Sequence, residues 1–204
     1  MSTKVLGCTV VLVLFLVAAL GLAFFLFGQY NGLVRGEEAV SAQWAQVENV
    51  YQRRADLIPN LVETVRGASE FEQETLNAVV EARSRVGQMT VDAGDIVNNP
   101  QAFAQFQQTQ DALSGALQRL LVVVERYPDL KAVAAYRDLM TQLEGTENRI
   151  SVERRRFNEV ARDFNVRLKR IPTRWFVSLM GWGFEEKAYF AATPGAKEAP
   201  QVEF

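Results

Sequence analysis

The sequence predicts an all-α protein: a single N-terminal transmembrane helix followed by an elongated antiparallel four-helix bundle. Three observations carry this. Val5 to Phe27 contains no charged side chain, and four later segments place apolar residues in rows spaced by sevens. No strand-like alternation competes with those rows. At ~1.5 Å per residue the apolar run is about 35 Å long, enough to cross a hydrocarbon core of ~30 Å with modest tilt. The chain divides into a short N-terminal segment (1–4), an anchor (5–27), a helical bundle domain with an aromatic C-terminal segment (28–190) and a flexible tail (191–204).

Small residues at Ala18, Ala19, Gly21 and Ala23 imitate a signal-peptide cleavage region. The apolar run nevertheless continues through Phe24, Phe25, Leu26 and Phe27, too long and bulky for a cleaved h-region, so the segment reads as an uncleaved anchor. Val5-Leu6-Gly7-Cys8 looks like a lipid-attachment box, but Cys8 precedes the apolar stretch instead of following it. As the only cysteine, Cys8 has no intramolecular disulfide partner.

The first bundle helix rises from the membrane. Leu33, Val40, Val47 and Leu61 recur at sevens beside Trp44, Tyr51, Ile58 and Val65, making one wide apolar stripe. Pro59 lies inside it and predicts a kink near Ala55, and Gly67 ends the run. Ser69 and Glu72 form a capping box opening a second helix, whose buried side is Leu76, Val79 and Val86. Gly87 to Asn99 is Gly- and Asx-rich and reads as a loop. Asn99-Pro100 opens a third helix, with the proline at the first helical position. Phe106, Leu113, Leu120 and Tyr127 mark its seam, flanked by Phe103, Leu117 and Val124. Tyr127-Pro128-Asp129 breaks the chain before the longest predicted helix, Asp129 to Ile171. Its seam of Tyr136, Leu143, Ile150, Phe157, Phe164 and Ile171 implies left-handed packing of long, nearly parallel helices.

Composition narrows function by exclusion. With 22 basic and 24 acidic residues the net charge is −2, which argues against nucleic-acid binding. There is no histidine, which removes Ser-His-Asp and Cys-His catalysis and the Glu-x-x-His pairs of di-iron bundles. Gly-rich phosphate loops are missing too. No catalytic, cofactor-binding or metal-ligating constellation is expected.

Charges interrupt two apolar rows. Arg54 falls in the row of Leu33, Val40, Val47 and Leu61, while Glu147 and Arg154 fall among Met140, Ala161 and Leu168. If the first helix leaves the membrane and the fourth returns to it, Arg54 and Glu147 arrive at nearly the same height, counting ~1.5 Å per residue from Gly28 and from Ile171. The expectation is a partly buried Arg54–Glu147 pair, joined by Asp56, Asn148 and Arg149, that fixes helix register. Deleting one partner of such a pair costs about 3–5 kcal/mol, so Arg54→Leu is expected to be severely destabilising. A solvated charged face and a ligand site are the other readings of this layer.

Glu153 to Arg174 carries eight basic and three acidic residues, and Trp175, Phe176, Leu179, Met180, Trp182, Phe184, Tyr189 and Phe190 follow. Basic residues followed by Trp-rich apolar ones suit a headgroup boundary. Arg167, Lys169, Arg170, Arg174, Trp175 and Trp182 are the membrane-interface candidates. Packing between neighbouring subunits, or onto the base of the same bundle, are the alternatives.

Several motifs together resemble the LemA family. They are Tyr30-Asn31-Gly32-Leu33-Val34, Arg53-Arg54-Ala55-Asp56-Leu57-Ile58-Pro59-Asn60-Leu61-Val62, Glu81-Ala82-Arg83, Tyr127-Pro128-Asp129-Leu130-Lys131 and Thr146-Glu147-Asn148-Arg149-Ile150, with the pairs Phe157-Asn158 and Phe164-Asn165. Phenylalanine stands where the family often has tyrosine before those asparagines, and Trp182-Gly183-Phe184 replaces a Phe-Gly-Phe-like end. The resemblance implies an anchored bacterial envelope protein with a long helical bundle and no established enzymatic activity. It also implies a poorly defined role, with one branch linked to magnetosome membranes.

The expected function is therefore a non-enzymatic scaffold in the bacterial inner membrane. Its expected partners are the lipid bilayer, further copies of itself and an envelope protein. A sensory module whose polar layer answers a ligand or partner is the alternative. Lys4 on one side, against Arg35 offset by Glu37 and Glu38 on the other, favours an extracytoplasmic bundle, whereas the basic segment near Arg170 pulls the other way if it touches the inner leaflet.

Overall fold

The computed structural model describes residues 3–67, 72–89 and 93–191. Among them are seven helices and no strand: α1 (Thr3–Arg66), α2 (Gln73–Gly87), α3 (Ala93–Asn98), α4 (Pro100–Val124), α5 (Pro128–Ala132), α6 (Ala134–Lys169) and α7 (Thr173–Met180). The four predicted bundle helices correspond to the upper part of α1, then α2, α4 and α6. α1 packs most extensively on α6, and α2 packs chiefly on α4.

Anchor and first bundle helix are one element. α1 spans 64 residues without interruption, about 96 Å at ~1.5 Å per residue. Among the described residues α1, and not the 36-residue α6 expected to be longest, is the longest helix. The most apolar stretch of its N-terminal part is not buried anywhere along its length. Among the described residues no other helix is long and apolar enough to cross a membrane.

α1 also remains helical through Pro59. A proline there removes the N–H that would reach the Ala55 carbonyl. Arg83 of α2 supplies a substitute, its Nε donating to Ala55 O at 3.0 Å.

Three local expectations are corrected. The predicted loop over 87–99 contains α3, which buries Ile96 and Val97. The predicted helix from Asp129 is split at Val133, which is extended with ψ 122°. α6 ends at Lys169, so Ile171 lies beyond the seam and is 62% exposed. The N-cap of α4 is as expected, with Asn99 Oδ1 accepting from Gln101 N and Ala102 N at 2.9 and 3.2 Å. Ser69 lies outside the described residues. Glu72 stands at the N-cap of α2, where it pairs with Arg126 at 2.8 Å.

Two apolar cores stack along the bundle. The core nearer the anchor centres on Trp44, whose ring meets Phe103, Phe106, Phe157 and Phe190 at centroid distances of 5.7, 5.1, 5.4 and 6.0 Å. The distal core gathers Ile58, Leu61, Val65, Leu76, Leu113, Leu120 and Leu143. Both rows of α1 are buried in these cores, as is the α6 seam from Tyr136 to Phe164.

Candidate functional site

A polar layer separates the two cores, and α1, α4 and α6 all contribute to it. Arg54 lies on α1 between Tyr51 and Ile58, Gln110 on α4 between Phe106 and Leu113, and Glu147 on α6 between Leu143 and Ile150. Arg54 is 1% exposed and Gln110 is 4% exposed. Arg54 Nη1 donates to Glu147 Oε1 at 2.9 Å and to Ser114 Oγ at 2.7 Å. Nη2 donates to the Gln110 carbonyl oxygen at 3.3 Å and to its side-chain oxygen. The guanidinium carbon sits 5.0 Å from the centre of the Tyr51 ring.

The ion pair is lopsided. Arg54 is enclosed, whereas the Glu147 side chain is 41% exposed and stays in contact with water. Beside it opens a cavity of about 270 Å³, lined in part by Tyr51, Asp111, Ser151 and Arg154. Arg54 Nε and Tyr51 Oη are both buried without a hydrogen-bond partner among the described residues. Burial raises the Tyr51 hydroxyl above the usual tyrosine range, against the pull of Arg154 and Arg54.

The other residues expected in this layer lie outside it. Asp56 is exposed and accepts from Gln52 Nε2 at 2.8 Å. Asn148 is exposed and makes no hydrogen bond to Arg54 among the described residues, although it borders a groove that Ser114 and Glu147 share with Leu117, Leu121 and Met140, and Arg149 is exposed. The missed members are Gln110 and Ser114. A signal for Gln110 was present, since Phe103, Leu117 and Val124 leave it as the one polar member of a seven-spaced row.

At the opposite end, α6 returns to the anchor. Thr173 Oγ1 donates to Gln29 Oε1 at 2.9 Å. Phe176 meets Phe25 at 6.1 Å between ring centres, and Trp182 meets Tyr30 at 5.2 Å. Of the interface candidates, Arg167 donates to the Gly32 carbonyl at 2.6 Å and Lys169 pairs with Glu186 at 2.6 Å. Trp182 is half-buried against the anchor. Arg170, Arg174 and Trp175 are exposed.

Beyond Trp182 the chain climbs back over its own bundle as an extended strap. Asn165 Nδ2 donates to Lys187 O and its Oδ1 accepts from Lys187 N, both at 2.8 Å. Asn158 does the same with Phe190, at 3.0 and 2.9 Å. Seven helical residues cover ~10.5 Å and three extended ones ~10 Å, so the two asparagines keep step with the strap. This explains the two Phe-Asn pairs: each phenylalanine enters the core and its neighbouring amide holds the strap. Lys187, 4% exposed, pairs with Glu37 at 2.6 Å and donates to Asn98. Of the predicted tail, 191–204, Ala191 is tied to the Gln107 side chain, donating to its Oε1 and accepting from its Nε2, both at 3.2 Å, and residues 192–204 lie outside the described residues. Among the described residues no three Asp, Glu or Cys side chains gather as a metal site.

Comparison with known proteins adds a lineage. The chain is 27% identical over 164 residues to protein LemA of Metamycoplasma hominis, covering 80% of this chain and 69% of that protein. It is 26% identical over 181 residues to magnetosome protein MamQ of Magnetospirillum gryphiswaldense, covering 81% and 66%. It is also 26% identical over 185 residues to magnetosome protein MamQ 2 of Paramagnetospirillum magneticum, again covering 81% and 66%. The chain thus spans about two thirds of the length of these relatives. The LemA family model matches residues 43–204, the stretch that holds the polar layer, both Phe-Asn pairs and the strap, and the chain belongs to the LemA family.

Proposed function

We propose that the protein is a non-enzymatic scaffold of the bacterial cell envelope, anchored in the inner membrane with its bundle on the extracytoplasmic side. In this reading, copies assemble side by side in the membrane plane. The observation that carries the reading is the continuity of α1 from anchor to bundle. A rod joined to its anchor without a hinge, and braced on it by Thr173, Phe176 and Trp182, holds its flanks at a fixed attitude to neighbours. The relatives named as magnetosome proteins fit work done on a membrane. Cross-linking and native mass spectrometry of the full chain in detergent test assembly. Discrete oligomers are expected, and monomers throughout would end the scaffold reading. A reporter fused after Phe204 tests the side of the membrane.

A second reading rests on the cavity beside the polar layer. Buried, unpartnered Tyr51 Oη and Arg54 Nε would suit a small polar ligand that biases the layer, making the protein a regulatory module. A compound that copurifies with the wild type and is lost from Arg154→Ala would favour it.

A further inference from the structure

α7 presents two faces. One packs on the anchor through Thr173 and Phe176, and Met180 helps close an apolar crevice of about 360 Å³ with Ala23, Leu26, Phe27, Tyr30 and Trp182. Phe25, Leu26 and Phe27 are the last residues of the uncharged span. α7 therefore stands at the depth where the anchor leaves hydrocarbon. The other face is apolar and bare. Trp175 and Leu179, four residues apart on α7, are 63% and 81% exposed, and Ile171 just before the helix is 62% exposed.

Cations sit on the domain side of that stripe. Thr173 is level with Gln29, just beyond the span, and Arg170 and Arg174 flank it in sequence. Unlike Arg167 and Lys169, their side chains have no hydrogen bond or ion pair among the described residues.

We propose that α7 is a second membrane contact. Trp175 and Leu179 insert among the lipids that surround the anchor, and Arg170 and Arg174 bind the phosphates of anionic phospholipids. Continuity with the anchor selects lipid as the occupant, because the bare stripe begins where lipid already meets Phe25 and Phe27. Charge selects the headgroup. A second copy docked through the same face would bring two more unpaired arginines to it, whereas an anionic bilayer surface offers their counter-charge. Tryptophan beside arginine suits this boundary, the ring in the interface and the cation in the phosphate layer.

This inference rests on the anchoring half of the proposed function and not on assembly. It is tested on dilute full-length protein in vesicles, so its failure is separable from that of the scaffold. A nitroxide is placed at Leu179→Cys in a Cys8→Ser background, with Phe15→Cys as the lipid reference and Val122→Cys, 70% exposed on the bundle, as the water reference. Relative collision rates with oxygen and a polar nickel complex report the surroundings. In phosphatidylcholine mixed with phosphatidylglycerol, position 179 is expected to resemble position 15. Arg170→Gln/Arg174→Gln should shift it toward position 122 in the mixed vesicles, and not in phosphatidylcholine alone. Each cation at an anionic surface strengthens partitioning about fivefold, so the pair accounts for roughly 25-fold. A water-like signal at 179 in both lipids overturns the proposal, and so does spin–spin broadening that grows with protein density, which would assign the face to a second copy. A lipid-like signal indifferent to lipid charge and to both arginines overturns the headgroup assignment.

Discussion

Arg83 Nε lies 3.0 Å from the carbonyl oxygen of Ala55, the acceptor that Pro59 deprives of its helical donor. The Glu81-Ala82-Arg83 motif thereby repairs a defect created by the Ile58-Pro59-Asn60 motif 24 residues earlier, counted from Pro59 to Arg83. A helix that loses one backbone donor to proline is thus given a substitute by its neighbour.

This repair predicts coupling between positions 59 and 83. Arg83→Met leaves a buried carbonyl without a donor and should cost about 1–3 kcal/mol. In a Pro59→Ala background residue 59 supplies its own N–H, and the penalty should fall below about 1 kcal/mol. Denaturant unfolding of the four-variant cycle in detergent measures this, and equal penalties in both backgrounds would refute the repair.

The lopsided ion pair predicts an order of damage. Glu147→Leu strands an enclosed cation among neutral acceptors and should cost about 3 kcal/mol or more. Arg54→Leu leaves a carboxylate that reaches water, and its main loss is the buried Gln110, at about 1–3 kcal/mol. The 41% exposure of Glu147 is why this value is milder than the sequence alone suggests. Arg54→Leu/Glu147→Leu should recover part of the loss. Thermal melts of the three variants decide the ranking.

Close packing of α1 on α6 predicts opposite outcomes at two glycines. A Cβ at position 36 would lie 3.0 Å from Phe164 Cδ2, and that ring is 2% exposed with nowhere to move. Gly36→Ala should destabilise by about 1–3 kcal/mol despite better helix propensity. At position 32 the nearest atom is Arg167 Nη1 at 3.5 Å, the end of a flexible chain, so Gly32→Ala should gain about 0.5–1 kcal/mol.

The strap predicts a local unfolding unit. Asn165→Ala leaves the buried N–H and C=O of Lys187 unpaired and should cost about 2–4 kcal/mol. Hydrogen exchange over 182–191 should rise with little change in α2 or α4.

Tyr51 predicts a sensitivity to base. Burial raises its pKa above 10, so the native state keeps the phenolic proton longer than the unfolded chain does. Its contribution is complete below pH 10 and falls away as the pH climbs from there toward the raised native value. Tyr51→Phe should remove that part of the alkaline loss. At neutral pH it should be neutral or stabilising by up to about 1 kcal/mol, since Tyr51 Oη makes no hydrogen bond among the described residues.

Legibility followed periodicity. Heptad rows located α1, α2, α4 and α6, and counting residues from the membrane brought Arg54 level with Glu147. Period-blind features were missed. The strap has no repeat to betray it, and Lys187 is buried only because Glu37 and Asn98 meet it there. Nothing local in Ala132-Val133-Ala134 announces a break; the chain bends so that Leu130 can enter the distal core. Asp56, Asn148 and Arg149 share a neighbourhood in sequence with the ion pair but point from other sides of their helices.

The unbroken α1 has a mechanical corollary. From Gly28 to Arg66 the helix extends about 58 Å past the lipid at ~1.5 Å per residue. A change of 10° in anchor tilt, of the kind that bilayer thickness imposes, would sweep the far end sideways by on the order of 10 Å. The molecule has the geometry of a lever, in which small adjustments in the membrane would become large displacements far from it.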